Sequence, residues 1–135
     1  MLVLDSSVVL KWFRGSNEPD HEIALGIRTE LEEGDLEVIV PRVFILEMLN
    51  VPGRKLHVSE ADLHLLADAV AALDFTVIDV DPHAIVRHIA AGLTAYDASY
   101  AAVAAAQRVP LVTADRHLAD VASNVAIYLP DYRPT

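Results

Sequence analysis

A chain of 135 residues has the length of one domain, and 53% hydrophobic residues supply enough apolar material for a single buried core. That composition excludes a disordered or linker-rich chain, and no apolar run approaches the ~20 residues that span a bilayer. The lack of cysteine excludes disulfides, thiolate nucleophiles and cysteine-based zinc sites, and a net charge of −10 opposes any phosphate-rich partner unless positive charge is supplied locally.

MLVLD (1–5) reads as a buried strand. It has no basic leader and meets an acid at position 5, so it is not expected to be a signal peptide, and the expected compartment is the cytoplasm. SSVVLKWF follows as a short helix, and Asp20 to Glu33 form an amphipathic helix ending at Gly34. LEVIV (36–40) is a strand closed by Pro41; RVFILEMLN (42–50) is a helix that Pro52-Gly53 should stop or kink. SEADLHLLADAVAAL opens with a Ser59-x-x-Asp62 cap and runs to about Leu73. FTVIDV (75–80) is a strand, and Pro82 opens a helix reaching about Leu93. Thr94 caps AYDASYAAVAAAQR, which is apolar on nearly every face and is expected to be buried. PLVTA is a strand, ADRHLADVA a short helix and VAIYL (125–129) the last strand. With no repeat or linker, residues 1–135 are expected to form one domain. This alternation implies an α/β fold, a mostly parallel sheet covered by helices on both faces. Such folds bind ligands outside the carboxyl ends of strands, where strand order reverses, and Asp5 and Asp115 stand at such ends.

Each acid has a plainer explanation beside it. Asp5 and Asp115 occupy strand-to-helix turns where a capping aspartate belongs, and Asp97 is the third residue after Thr94, where an acid favours the positive helix end. Asp81 before Pro82 is a structural cap, Asp120 a solvated helical acid, and Asp79 has no assigned place. Glu47 has helical neighbours Val43, Phe44, Asn50 and Val51, an apolar stripe in which a charge is costly unless it is paired or bound to a cation. The alternative is a rim glutamate with a buried stem. His83 and His88 fall on different helix faces, His117 is either a substrate contact or an exposed residue, and no HExxH is present. Signatures of serine hydrolases, P-loops and dinucleotide-binding turns are also missing.

LDSS (4–7), Glu47 with Asn50 in LEMLN, YDASY (96–100) and LVTADRHLA (111–119) together resemble the PIN-domain family, and within it the VapC-type toxin ribonucleases of toxin–antitoxin pairs. The resemblance covers essentially the whole chain; Pro52-Gly53 departs from it, where many members continue the glutamate-bearing helix. It implies a single-domain three-layer PIN-like fold in which Asp5, Glu47, Asp97 and Asp115 line one pocket and hold Mg²⁺ or Mn²⁺, with Ser6 and Thr113 supporting it. Two carboxylates ~5 Å apart repel by about 3 kcal/mol at an effective dielectric of 20, so four in one pocket must take up protons or bind a divalent cation. All-oxygen ligands favour the hard ions Mg²⁺ and Mn²⁺, whose charge would also admit a phosphodiester to an acidic protein.

The resemblance further implies an endoribonuclease that uses water as nucleophile and leaves 5′-phosphate and 3′-hydroxyl ends, a cognate antitoxin, and a homodimer. Trp12 and Phe13, on a helix near Asp5, are expected either to line a groove for the antitoxin or to pack in the core. Lys11, Arg14, Arg42, Arg54, Lys55 and Arg116 are candidate phosphate contacts, each also readable as a solvated surface charge. Two rivals remain: a non-catalytic PIN scaffold that binds RNA or a protein, and a receiver-like phosphoacceptor module. A receiver wants paired acids after its first strand, where LDSS has one, and a lysine after a late strand, where Arg116 and His117 stand.

Overall fold

Five short apolar runs form one sheet: β1 (Leu2–Leu4), β2 (Val38–Pro41), β3 (Thr76–Ile78), β4 (Leu111–Thr113) and β5 (Ala126–Tyr128). The computed structural model of the chain describes residues 1–134. The strand order is β3-β2-β1-β4-β5 and every neighbouring pair is parallel. An all-parallel sheet needs cover on both faces. That cover comes from seven α-helices: α1 (Ser6–Val9), α2 (His21–Glu32), α3 (Val43–Asn50), α4 (Glu60–Ala71), α5 (Pro82–Ala90), α6 (Ala95–Gln107) and α7 (Arg116–Val121). The result is the expected three-layer α/β fold. No helix among the described residues is long and apolar enough to cross a membrane.

Pattern and position agree along the sheet. The uninterrupted aliphatic runs of β1 and β4 are fully buried at its centre, whereas β3 and β5 lie at the edges and are partly exposed. From β1 the chain winds outward through β2 to β3, then crosses back to lay β4 on the other side of β1, with β5 beyond it. Strand order therefore reverses between β1 and β4, which opens a crevice at their carboxyl ends. The residues that leave those ends are Asp5 and, two beyond Thr113, Asp115.

Helix α6 packs against β1, β2 and β4. Its run Tyr100 to Ala104 is buried, as expected of a helix apolar on most faces, while its first turn stays exposed at Ala95 and Tyr96. Ser59 and Thr94 cap α4 and α6 by accepting the amide N–H of Asp62 and of Asp97. Asp81 caps α5 through the His83 amide, the structural role expected of it.

The structure decides between alternatives at two places. Pro52 ends α-geometry after Asn50 without ending the helix: Val51–Lys55 continues as a π-turn, the Leu56 N–H reaching the Val51 carbonyl at 3.3 Å. Proline has no N–H for the carbonyl four residues back, and a wider turn accommodates that loss. Trp12, in the short 3₁₀ segment Leu10–Trp12, is a core residue. Its indole N–H donates to the Ala24 carbonyl at 2.7 Å and its ring meets Phe75 edge-on at 6.2 Å. The cavity beside Trp12 and the exposed Phe13, about 850 Å³, is lined also by Leu36, Val38, Asp74 and Thr76. Those residues belong to the amino ends of β2 and β3, so this hollow opens at the end of the sheet opposite Asp5.

Candidate functional site

Asp5 takes the N-cap position of α1 with extended backbone angles, yet its side chain makes no capping bond. It is 4% exposed, and its Oδ2 accepts the hydroxyls of Ser7 and Thr113, each at 2.7 Å. A backbone donor behind each hydroxyl fixes its direction: Ala114 N–H gives to Ser7 Oγ, and Asp115 N–H to Thr113 Oγ1, both at 3.0 Å. A hydroxyl carries one hydrogen, so the 3.5 Å approach of Ser7 to Thr113 is a contact only, both hydrogens being directed at Asp5. An acceptor served by two oriented donors is the arrangement of an ionised carboxylate. The capping explanation fails for Asp5. It holds in part for Asp115, whose Oδ1 accepts from the Leu118 amide at 3.2 Å while Oδ2 bonds no protein group among the described residues.

Glu47 reaches the same place from α3. Its Oε1 accepts the Tyr100 hydroxyl at 2.6 Å and the Ser6 hydroxyl at 3.3 Å. Ser6 also lies 3.5 Å from Asp5 Oδ1 and so stands between the two acids. Asp97 is in the first turn of α6, one turn before Tyr100. Ser7 and Tyr100 carry two of the three shortest bonds of the site, the third being that of Thr113, and neither was among the residues expected to support it. The available signal was spacing: Ser7 lies one residue beyond Ser6 in LDSS, and Tyr100 lies three beyond Asp97, on the same helical face.

The acids feel one another. Burial pushes the Asp5 carboxyl up from its usual range, the Ser7 and Thr113 hydroxyls hold it down, and Asp115 pushes it up again. Burial raises Glu47 to about 6, against the Tyr100 hydrogen bond and with the charges of Asp5 and Asp97 adding to the rise. Burial likewise raises Asp97 to about 6, joined by Asp5 and Asp115 and opposed by His117. None of the four acids forms an ion pair with Lys, Arg or His among the described residues. Nor do three acids or imidazoles there already surround one point at liganding distance. Asp5, Glu47 and Asp115 are each tethered to a hydroxyl or an amide, and repulsion among the four acids opposes a closer approach. The donor set is carboxylate and hydroxyl oxygen throughout, which suits a hard divalent cation.

The candidate phosphate contacts separate. Lys11 and Arg14 are both engaged by Glu18, and the Arg42 Nε–H donates to Asp79 at 2.8 Å, which gives Asp79 its place. Arg54 and Lys55 are exposed on the π-turn with no ion pair among the described residues. Arg116, next to Asp115, lies over the Tyr128 ring at 4.8 Å. His117 contacts the Gly92 carbonyl at 3.1 Å, and Asp120 is solvated as expected.

Comparison with known proteins agrees with this architecture. The family model for the PIN domain matches residues 2–124. No curated protein matches the sequence. Among solved structures, FitAcB from Neisseria gonorrhoeae superposes with a TM-score of 0.71 at 15% identity, covering 98% of this chain and 100% of that one. PAE2754 from Pyrobaculum aerophilum gives 0.67 at 23% identity, with coverages of 96% and 89%. A toxin–antitoxin complex from Klebsiella pneumoniae gives 0.60 at 16% identity, with coverages of 96% and 98%. With a five-stranded parallel sheet in the order 3-2-1-4-5 and a family match over nearly its full length, the chain belongs to the PIN domain family.

Proposed function

We propose that this chain is a divalent-metal-dependent endoribonuclease, the toxin of a toxin–antitoxin pair. The observation that carries the proposal is electrostatic: burial raises the carboxyls of Asp5, Glu47 and Asp97, the charges of Asp5, Asp97 and Asp115 add to those rises, and no basic side chain is paired to any of the four acids among the described residues. PIN domains are generally nucleases that bind divalent metals, and the donor set here fits Mg²⁺ or Mn²⁺. Asp5, Asp97 and Asp115, with Glu47 directly or through water, would hold the ion. When bound, it would supply Lewis-acid polarisation of the phosphodiester and a more acidic water.

The chain's own groups do the rest. Ser7 and Thr113 favour the ionised form of Asp5 against its burial and fix its rotamer, so its other oxygen, Oδ1, faces Ser6 rather than a capping amide. Arg116 is the best placed of the basic residues to meet a phosphate, because the Asp115 acid adjoins it in the chain and Tyr128 supports its guanidinium. The likeness in fold to a toxin–antitoxin complex supports an antitoxin partner. We further propose a homodimer and a cytoplasmic setting. The rival of a non-catalytic scaffold is disfavoured because the four acids are all present and interacting.

The test is cleavage of a long single-stranded RNA with Mn²⁺. Wild type should cut, leaving 5′-phosphate ends; EDTA should stop it, and Asp5→Asn should reduce it to background with the fold retained, since Asn keeps an acceptor for Ser7 and Thr113. Full activity in EDTA with 2′,3′-cyclic phosphate products would reject the proposal.

A further inference from the structure

We infer that Tyr100 is a positioning residue that holds Glu47 among the other acids and thereby sets the site's affinity for a divalent cation. The inference rests on the reading of Glu47 as part of that cation site. Tyr100 is fully buried, and its hydroxyl gives Glu47 Oε1 the shorter of its two hydrogen bonds, 2.6 Å against 3.3 Å from Ser6. Glu47 Oε2 bonds no protein group among the described residues, so a carboxylate anchored at one oxygen keeps the other for a ligand. The anchor also spans elements. Glu47 belongs to α3, whose neighbouring residues Ile45 and Leu46 are exposed, and a glutamate there has free rotamers leading to solvent. Tyr100 belongs to α6, one turn after Asp97, with its ring fixed in the core. A single phenol therefore ties the glutamate of one helix to the helix that presents the aspartate, in spite of the repulsion between the two acids.

The decisive variant is Tyr100→Phe, which keeps the buried ring and removes only the hydroxyl. In metal-free crystals of this variant, Glu47 should leave the position it has beside Ser6, and calorimetric Mn²⁺ affinity should fall about 10–100-fold, the range usual for loss of a group that orients a ligand. Its thermal midpoint should stay close to that of wild type. In a Glu47→Gln background, Tyr100→Phe should add little further loss of Mn²⁺ affinity or of cleavage rate. The inference is overturned if Glu47 stays in place in the Phe variant, if Mn²⁺ affinity is unchanged, or if the two substitutions act additively. Wild type that binds Mn²⁺ but cuts no RNA would reject the nuclease reading alone; wild type that binds no Mn²⁺ would reject both.

Discussion

The two serines of LDSS do unequal work, although they are adjacent and chemically identical. Ser7 both donates to Asp5 at 2.7 Å and accepts the Ala114 amide at 3.0 Å, so it ties the end of β1 to the end of β4. Ser6 makes only long approaches, 3.3 Å to Glu47 and 3.5 Å to Asp5. Removing Ser7 leaves a partly buried amide and a buried carboxylate each short of a partner, a loss of about 1–3 kcal/mol. Urea unfolding should therefore show Ser7→Ala to be clearly less stable than Ser6→Ala; equal stabilities would contradict the bonding described. The sequence supplied the four acids and the hydroxyls at Ser6 and Thr113 through motif and spacing. It did not supply Ser7 or Tyr100 as their partners, because the Ser7 rotamer is set by an amide 107 residues away and Tyr100 meets a glutamate 53 residues away.

Helices and strands were legible wherever periodicity and punctuation coincided: Ser59, Asp81 and Thr94 cap the helices expected of them, and the five strands stand where the aliphatic runs predicted. The two places where alternatives stayed open share a cause. Pro52 signals a break, but the following turn was free to widen, and Trp12 signals a surface groove or a core position with the same letters. Tertiary packing decides both. Glycines offer a test at this scale, because Gly26 and Gly92 both have open space where an alanine methyl would stand and yet should respond in opposite directions. Gly26 lies within α2 at ordinary helical angles, so Gly26→Ala should stabilise the protein by about 0.5–1 kcal/mol. Gly92 follows α5 with φ of 115°, and Gly92→Ala should cost about 1–2 kcal/mol through backbone strain alone. Paired urea titrations check both signs at once, and a stabilising Gly92→Ala would refute the strained conformation.

At the scale of the molecule, a chain of net charge −10 gathers acids from four separate segments at the crevice between β1 and β4, and that arrangement opposes its own folding. Glu47 and Asp97 have folded-state values of about 6, above their ordinary 4.5 and 3.8. A carboxyl raised in the folded state binds its proton more tightly there, so its contribution to stability is complete below the ordinary value and is lost as pH rises through about 6. Glu18 and Asp79, lowered by their arginines, act in the opposite sense at the acid end of that window and below it, and His88, lowered by burial and Arg87, opposes within it as one group against the two raised acids. In the absence of divalent ions, the thermal midpoint should thus be higher at pH 5 than at pH 7. A cation that binds only the folded acids reverses the order of the opposing effects: at 100 times its dissociation constant it stabilises by about 2.7 kcal/mol. Because protons compete for the same oxygens, Mn²⁺ should raise the midpoint at pH 7 and do much less at pH 5. Asp97→Asn should flatten both dependences together. A midpoint that falls from pH 7 to pH 5 without metal, or an Mn²⁺ shift equal at the two pH values, would show that the acids are held apart too well to act as one site.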